Sequence, residues 1–353
     1  MIINDQSNIL MIYVSEQITN NKHAGSKARN DVEVILAQVV GNKLGYVCDN
    51  KGGGSLFTKV KRALRLRRQG KIISRLKNET IFIQYPVDRR KIVGLFESII
   101  KASKRNKTVL IIHDVEFIRE KLVGKAKDRE VRLFDSATVL ICHNRAMIEE
   151  LQRSGVTHPH FVNLGIFDYL TDGIPANEHS FDKSVVYAGN LAKAPFLTEL
   201  NAFDLGWDFV LYGINCPQTT NPAIKYNGAL SPEDLVGNLT QSFGLIWDSE
   251  TVDGCTGKIG EYTRYNNPHK LSLYLVSGMP VIVWSQAAVA DFVEKEKVGF
   301  VIDSLRDIAA KLDNLTEEEY EEYRRNADRL KQKLYCGEFM KAAIVRAVEL
   351  CKG

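Results

Sequence analysis

Closely spaced cysteine pairs and long apolar runs are both lacking in this chain of 353 residues. The six cysteines are scattered, with no Cys-x-x-Cys pair and no histidine at zinc spacing. This excludes a zinc finger or a disulfide framework and predicts reduced thiols in a cytoplasmic protein. No apolar run is long enough to span a membrane. The start, MIINDQSNILMIYV, lacks a basic region and a small-residue cleavage site, so we expect no signal peptide.

Two nucleotide-binding fingerprints are also missing. The chain contains no Gly-x-Gly-x-x-Gly and no Gly-x-x-x-x-Gly-Lys-[Ser/Thr] sequence. Their lack disfavours dinucleotide-dependent oxidoreductases and P-loop enzymes. The formal net charge of +4 is too mild to indicate a nucleic-acid partner. We therefore expect no binding of nucleic acid.

The chain does contain short apolar runs that alternate with helical patterns. Such runs predict parallel sheets covered on both faces. The polar stretch 171–183 separates two series of them, so we predict two α/β domains, 1–170 and 184–325. Strands are predicted at 9–14, 43–48, 80–86, 108–114, 137–143 and 160–166, then at 184–190, 208–214, 242–248, 279–284 and 298–303. Helices predicted near the chain end are 286–294, 305–313 and 316–351.

The carboxyl ends of the predicted strands mark the place for a ligand. Ligands of doubly wound sheets bind outside those ends, and with two domains we expect the site in the cleft between them. One strand, in YAGNLAKAPF (187–196), ends at Gly189 and Asn190. A backbone without a side chain can approach a phosphate there, and Lys193 could neutralise it. An ordinary strand-to-helix turn explains the same residues.

A second strand end, WDSE (247–250), carries two acids. Asp248 and Glu250 stand two apart, as in metal sites that bridge a sugar nucleotide through carboxylate oxygens. The single-domain fold that uses such a site would not explain a second α/β series. The metal interpretation is therefore the weaker one.

A cluster of polar residues, NNPHK (266–270), precedes an apolar helix. An asparagine before Pro268 is a good helix start, so capping is one interpretation. An anion site is the other, because the first turn of a helix offers free N–H groups and a partial positive charge. Lys270 disfavours capping alone, since a cation there opposes the helix dipole unless an anion also binds.

Two motifs of the first half carry candidate catalytic groups. HAGSKARND (23–31) brings a glycine and several charges into the first helix, although an exposed face of mixed charge explains it equally well. IIHDVEFIR (111–119) places His113 and Asp114 at the end of a buried strand, where general bases commonly lie. Either residue could be catalytic and the other structural.

The segment 59–77, KVKRALRLRRQGKIISRLK, has nine Lys or Arg and no acid. A solvated helix face is the simplest interpretation. Contact with an anionic membrane surface or a lipid-phosphate substrate is the functional one. A nucleic-acid interface is less favoured, because no recognition fold accompanies the run.

Together these motifs resemble one family. The residues are HAGSKARND, IHD, IFDYL (166–170), YAGNL, FGLIWD (243–248), NNPHK-SLYL (266–275) and AA-ADF (287–292). They resemble bacterial β-1,6-galactofuranosyltransferases of surface-polysaccharide synthesis and the related glucosyltransferases that extend glycans on serine-rich adhesins. The similarity spans about residues 9 to 303 and implies a GT-B fold: two Rossmann-like domains facing a cleft, with a C-terminal helix, 330–353, crossing back. The loop 251–265 and the basic segment depart from the family pattern, which leaves the acceptor open.

The resemblance also implies the chemistry: inverting, metal-independent transfer from a UDP-sugar, galactofuranose favoured, without a cofactor. Lys270 and the start of its helix would hold the departing pyrophosphate. Direct displacement needs a base in the N-terminal domain, for which Asp114 is the first choice and Asp31 and His23 are alternatives. The implied donor residues are Gly189, Asn190, Lys193, Tyr212, Gly213, Tyr226, Asp248, Asn267, Lys270 and Leu271, and the acceptor-side residues are Gly25, Lys27, Arg29 and His113.

The sequence is compatible with several alternative functions. The acceptor is a glycan or a lipid-linked saccharide, or the chain is a glucosyltransferase that extends glycans on a surface glycoprotein. A non-catalytic UDP-sugar-binding partner and a membrane- or nucleic-acid-associated scaffold are the rivals from other classes. We expect a homo-oligomer in the cytoplasm, with peripheral contact at the inner membrane face.

Overall fold

In the residues that the structure describes, strands that alternate with helices form two parallel sheets of six strands each. The structure is a computed structural model that describes residues 10–18, 24–48, 71–86 and 93–353. The strand order is β2-β1-β3-β4-β5-β6 in the first sheet and β12-β11-β10-β7-β8-β9 in the second, and all pairings are parallel. The predicted α/β class with two Rossmann-like sheets is confirmed.

The strands are short and buried, as expected of sheets covered by helices. The first sheet contains β1 Met11–Ile18, β2 Asn42–Cys48, β3 Thr80–Tyr85, β4 Lys107–Ile112, β5 Val139–Cys142 and β6 His160–Asn163. The second contains β7 Val185–Asn190, β8 Phe209–Ile214, β9 Ile224–Tyr226, β10 Phe243–Ile246, β11 Val281–Trp284 and β12 Gly299–Ile302.

Helices connect the strands. Among the described residues of the first half they are α1 Ala24–Val39, α2 Val93–Ser103, α3 Glu116–Arg119, α4 Lys125–Asp135 and α5 Arg145–Arg153. In the second half they are α6 Phe196–Glu199, α7 Pro232–Asn238, α8 Gly257–Tyr262, α9 His269–Val276, α10 Ala290–Glu296, α11 Ile308–Asn314, α12 Glu317–Leu334 and α13 Glu338–Lys352. Short 3₁₀ turns occupy Leu191–Lys193, Leu200–Ala202 and Leu305–Asp307.

The chain divides into two compact units, one around each sheet. The first contains β1, Arg29–Leu164 and Met340–Gly353, so most of α13 belongs to it. The second contains Gly165–Phe339 together with the first turn of α1. α12 lies in the second unit and Met340–Gly353 in the first, while the predicted domain bounds, with a return that starts at residue 330, stay a prediction.

A close approach of α9 to the second sheet positions the helix start. Gly244 of β10 faces the ring of Tyr274, and a Cβ at Gly244 would lie 2.2 Å from that ring. Glycine therefore allows the helix to pack directly on β10. The Tyr274 hydroxyl accepts a 2.9 Å hydrogen bond from the backbone N–H of Ala188 in β7. This contact fixes α9 across both central strands.

Several elements differ from the predicted ones. The predicted helix 316–351 is two helices, because the chain turns at Gly337, whose φ of +82° favours glycine. The predicted helix 286–294 begins only at Ala290, after a turn. The short elements β9, α3 and α8 are not predicted at all, since three to six residues carry too little periodicity.

Candidate active site

The second sheet has a topological switch point between β10 and β7. Starting from β7, the chain adds β8 and β9 on one side and then β10, β11 and β12 on the other. A ligand of an open parallel sheet binds outside the carboxyl strand ends at such a point. β7 ends at Asn190, and Trp247 and Asp248 follow the end of β10.

Lys270, in the first turn of α9, lies at this point. Its Nζ is 2.6 Å from Oδ1 of Asp248 and 4.9 Å from the centroid of the Tyr187 ring. The Tyr187 hydroxyl donates a 3.1 Å hydrogen bond to the same carboxylate oxygen. The Lys270 and Asp248 side chains are 16% and 17% exposed. The site therefore holds one accessible but mostly enclosed ion pair at a helix N-terminus.

Buried aromatic and thiol groups surround Asp248. Burial, reinforced by the negative charge of Asp248, raises the pKa of Tyr187 well above its ordinary value. Burial also raises the pKa of Tyr274, with a smaller contribution from Asp248, and that of Cys255 to about 12. These three groups stay neutral at physiological pH. Lys270 is thus the cation that the structure sets against Asp248.

The strand end predicted to face a phosphate is adjacent to Lys270. Gly189 of β7 pairs with Gly213 of β8, and a Cβ at Gly213 would lie 1.6 Å from the Gly189 carbonyl oxygen. A Cβ at Gly189 would lie 3.5 Å from Lys270 Cε, so the lysine side chain extends over this glycine. Asn190 caps the turn Leu191–Lys193 by accepting a 3.2 Å bond from its backbone. The structure therefore brings Gly189, Gly213 and Lys270 together.

The other predicted donor residues on this side differ in exposure. Tyr226 is 47% exposed, and its hydroxyl donates a 2.8 Å hydrogen bond to the Gly213 carbonyl. Lys193 is exposed as well. Tyr212 is only 8% exposed, and its hydroxyl donates at 3.4 Å to the Asn238 carbonyl. Tyr226 and Lys193 are available to a ligand, whereas Tyr212 packs in the core.

Asn267 and Leu271 flank Lys270, but their polar groups bond within the protein. Nδ2 of Asn267 donates a 2.7 Å hydrogen bond to the Gly165 carbonyl. The backbone N–H of Leu271 donates at 3.0 Å to the Pro268 carbonyl, and its side chain is fully buried. In this structure both residues hold the start of α9 in place, and their predicted contact with phosphate stays a prediction.

His269 is a further residue of the helix start, to which the sequence analysis gives no role. Its ring lies 5.0 Å from the ring of Tyr169. Burial, with a contribution from the charge of Lys27, lowers the pKa of His269 to about 3, so its imidazole is neutral. His269 therefore adds no second positive charge beside Lys270 that would oppose the helix dipole. In the sequence, only the position of His269 in the first turn of α9 points to this residue.

The predicted acceptor-side residues lie in two different places. Nζ of Lys27 donates a 2.6 Å hydrogen bond to the Leu170 carbonyl and lies 4.8 Å from the centroid of the Tyr169 ring, so it belongs to the second unit. Gly25 lies in the same first turn of α1. His23, an alternative base, falls outside the described residues.

Arg29 and His113 meet in the first unit, through a residue that the sequence analysis misses. His113 Nε2 lies 2.7 Å from Gln84 Oε1, and Gln84 Nε2 donates at 3.3 Å to the Arg29 carbonyl. The Arg29 guanidinium donates at 3.0 Å to the Pro86 carbonyl. A lone glutamine at the end of the apolar run TIFIQY is the signal for Gln84. It joins the end of β3 to α1 and to the residue after β4.

The two acidic candidates for a base are partly or fully enclosed. Asp114 Oδ2 accepts a 2.6 Å bond from Arg119 Nη1, and the two side chains are about one fifth exposed, at 19% and 21%. Asp31, in α1, is 5% exposed. Both lie in the first unit, and their assignment as the base stays a prediction.

Glu130 of α4 organises the segment that carries Asp114. Its carboxylate accepts hydrogen bonds from the backbone N–H groups of Glu116 and Phe117, at 2.8 and 2.7 Å, and from the Tyr85 hydroxyl at 2.8 Å. Burial raises the pKa of Glu130 to about 7. Nothing in the sequence distinguishes this residue from the other acids of an amphipathic helix.

Part of the basic segment and the predicted absence of membrane spans concern the extent of the described residues. Residues 59–70 of the basic segment lie outside the described residues. Among the described residues, no helix is long and apolar enough to cross a membrane. The same residues contain no group of three or more His, Cys, Asp or Glu side chains arranged to hold a metal ion.

Comparison with known proteins places the chain among glycosyltransferases. Two family models match, for the N-terminal domain of Glucosyltransferase 3-like proteins over residues 11–166 and for their C-terminal domain over residues 185–347. The beta-1,6-galactofuranosyltransferase WbbI of Escherichia coli (strain K12) is 30% identical over 350 residues, which cover 96% of this chain and 98% of that protein. Glucosyltransferase 3 of Streptococcus gordonii is 24% identical over 327 residues, covering 91% and 93%.

Solved structures show the same fold at low identity. HepE of Anabaena, in complex with UDP, has a TM-score of 0.58 at 12% identity, covering 97% of this chain and all of that chain (100%). The lipopolysaccharide outer core galactosyltransferase WaaB has a TM-score of 0.59 at 9% identity, covering 96% and 98%. The two parallel sheets and these likenesses show the GT-B fold. The family models and the relative of 30% identity show the class, a glycosyltransferase. Within that class, the chain belongs to the Glucosyltransferase 3-like family, as its matched domains and its galactofuranosyltransferase relative show.

Proposed function

We propose that this glycosyltransferase moves a sugar, galactofuranose in the first instance, from a UDP-sugar to a glycan or lipid-linked saccharide acceptor. The choice of sugar rests on the name of the relative of 30% identity, a beta-1,6-galactofuranosyltransferase. Transfer of glucose to a glycan on a surface glycoprotein is the second candidate, and the two Glucosyltransferase 3 relatives favour it. UDP as the nucleotide agrees with the UDP and UDP-glucose complexes of HepE.

Lys270 at the switch point is the observation that carries the proposal. When the bond between the anomeric carbon and the donor oxygen breaks, negative charge grows on the departing pyrophosphate. An ammonium and a helix N-terminus that are already in place stabilise that charge without reorganising. Gly189, which has no side chain, leaves the strand end open beside Lys270. The geometry therefore suits leaving-group stabilisation.

Metal independence is part of the proposal. A divalent ion for a sugar nucleotide would use carboxylate oxygens such as those of Asp248. In the structure Oδ1 of Asp248 accepts bonds from the Lys270 ammonium and the Tyr187 hydroxyl. The ammonium supports metal-independent chemistry because it already contacts a carboxylate oxygen that a metal ion would use.

Inversion at the anomeric carbon is the proposed stereochemistry. A direct displacement requires a base that takes the proton of the acceptor hydroxyl as the hydroxyl oxygen attacks. Asp114 is the first candidate, and Asp31 and His23 are the alternatives. Exposure favours Asp114 over Asp31, since the Asp114 side chain is 19% exposed and Asp31 is 5% exposed.

A donor panel tests the proposal. Purified protein is incubated with UDP-galactofuranose, UDP-galactose or UDP-glucose and simple glucoside acceptors, and both released UDP and the glycoside are measured. We expect turnover with one donor and a product whose anomeric configuration is opposite to that of the donor. UDP binding without turnover for any donor and acceptor would instead indicate the non-catalytic partner. The Lys270→Ala variant provides the background rate.

Location and assembly are proposed separately. Assembly of surface polysaccharides on lipid carriers would suit a cytoplasmic enzyme at the inner membrane face, and segment 59–77 is the candidate contact. A homo-oligomer is also proposed. Co-sedimentation with anionic vesicles at low and high salt tests the first statement, and light scattering of the purified protein tests the second.

A further inference from the structure

Asp248 is a carboxylate inside a site proposed to bind a pyrophosphate. Its Oδ1 lies 2.6 Å from the Lys270 ammonium and 3.1 Å from the Tyr187 hydroxyl. Tyr274 and Cys255 also lie near enough for the charge of Asp248 to raise their pKa values. The carboxylate is therefore held by the Lys270 ammonium and the Tyr187 hydroxyl, and its neighbours Tyr274 and Cys255 are neutral.

The pairing of Asp248 with Lys270 reduces the positive charge that is available to an incoming anion. The ion pair is neutral overall, and both side chains are at least four-fifths buried, at 17% and 16% exposed. In such an enclosed place two charges interact more strongly than at the surface. A pyrophosphate that approaches Lys270 must either share the ammonium with Asp248 or displace the carboxylate from it.

Lysine is suited to such an exchange. Its ammonium is a compact charge with three donors on a flexible stem, so it can turn from one anion to another. Gly189, where a side chain would begin 3.5 Å from Lys270 Cε, leaves space for this stem to move. Asp248 is more constrained, because it lies two residues after the end of β10 and bonds to Tyr187, which is buried in β7.

We propose that Asp248 is an internal counter-anion that competes with the donor pyrophosphate for Lys270. It lowers the affinity for UDP, and it takes the ammonium back when UDP leaves, which speeds product release. This inference rests on the proposed function and assigns to Asp248 a role opposite to that of a donor ligand. It makes Asp248 a positioning residue that acts through Lys270.

The Asp248→Asn variant tests the proposal, because the amide keeps the shape and removes the negative charge. We expect its Kd for UDP, measured by titration calorimetry, to fall about tenfold, which corresponds to about 1.4 kcal/mol. The Kd for inorganic pyrophosphate should fall in the same direction. Turnover should become more sensitive to inhibition by UDP, since the product leaves more slowly.

Three further variants make the result specific. Asp313→Asn removes a partner of another 2.6 Å ion pair, with Lys183 on the exposed surface, and should leave the Kd for UDP unchanged. Lys270→Ala combined with Asp248→Asn should bind UDP no more tightly than Lys270→Ala alone, because the effect of Asp248 acts through the ammonium. Asp248→Ala serves if the asparagine variant does not fold, as judged by circular dichroism and thermal unfolding.

The outcomes separate this inference from the proposed function. Unchanged or weaker UDP binding by folded Asp248→Asn and Asp248→Ala, with normal binding by the wild type, overturns the inference alone and indicates that Asp248 holds the donor or orients Lys270. A wild-type protein that neither binds UDP nor turns over any UDP-sugar overturns both.

Discussion

The Tyr85 hydroxyl, at the end of β3, donates a 2.8 Å hydrogen bond to the carboxylate of Glu130, which is 3% exposed. The same carboxylate caps the segment after β4 by accepting from the N–H groups of Glu116 and Phe117. A single buried acid thus joins β3, α4 and the chain that follows His113 and Asp114. Its protonation affects the stability of the first unit.

Glu130 predicts a pH-dependent stability. Its folded-state pKa is raised from 4.5 to about 7 by burial, and the nearby charge of Glu116 adds to the shift. The folded protein therefore binds this proton more tightly than the unfolded chain. The resulting contribution, of order 3 kcal/mol, is present below pH 4.5 and is lost as pH rises through about 7.

Glu130→Gln should flatten this dependence. The amide cannot ionise, so the unfolding midpoint should vary less between pH 5 and about 8 in the variant than in the wild type. Thermal unfolding followed by circular dichroism across that range is the measurement. The matched control is Glu149→Gln, which removes an acid that is 47% exposed and should leave the slope unchanged. Parallel curves for Glu130→Gln and the wild type would contradict the prediction.

Lys270→Ala should weaken transfer and UDP binding while the fold is kept. The substitution removes one charge-assisted phosphate contact, which corresponds to about 1.5–3 kcal/mol. Initial rates and UDP titrations measure the effect. Lys225→Ala is the control, because Lys225 pairs with Asp208 on the exposed surface at the amino end of the strands and should behave as wild type. Near wild-type affinity and rate for Lys270→Ala would show that the anion site lies elsewhere.

Asp114→Asn should retain UDP binding and lower turnover by about two orders of magnitude or more. The change keeps the shape and hydrogen bonding of the side chain but removes its basicity. The bond from Arg119 can persist to the amide oxygen, so the segment should keep its conformation. Asp31→Asn and His23→Ala are measured in parallel. An active Asp114→Asn beside an inactive Asp31→Asn or His23→Ala would move the base to the inactive position.

Chelation should leave the rate unchanged. The Lys270 ammonium and the start of α9 supply the positive field that a divalent ion would otherwise provide. Rates are compared after EDTA treatment and after addition of Mg²⁺ or Mn²⁺. Loss of activity with EDTA that either ion restores would assign Asp248 and Glu250 to a metal site.

The sequence predicts the strands and helices, from their periodicity, and the candidate site residues that lie at strand ends. Lys270 and Gly189 are predicted as neighbours of a phosphate, and the structure brings them to one switch point, because ligands of open parallel sheets bind outside the carboxyl strand ends. The pairing of Lys270 with Asp248 is not predictable in this way, since it depends on side-chain directions in residues 22 positions apart.

Other features escape sequence reasoning for similar reasons. The role of Glu130 depends on backbone groups 13 and 14 residues away that only the folded chain brings near. The strand β9 is recognisable only by its pairing with β8, because Ile224–Tyr226 is too short to show alternation. Local patterns therefore predict the strands and helices, whereas contacts between residues distant in sequence are known only from the structure.

For protein engineering, the contact between Gly213 and Gly189 determines which positions near the site accept substitution. Any side chain at Gly213 would have to enter the space of a backbone carbonyl 1.6 Å away, so randomising this position would separate two strands instead of reshaping the pocket. Tyr226, at the exposed end of β9, donates to the carbonyl of Gly213 and is 47% exposed, so its side chain can be exchanged without such a clash. Libraries that aim to change the preferred donor should therefore hold both glycines fixed and diversify Tyr226.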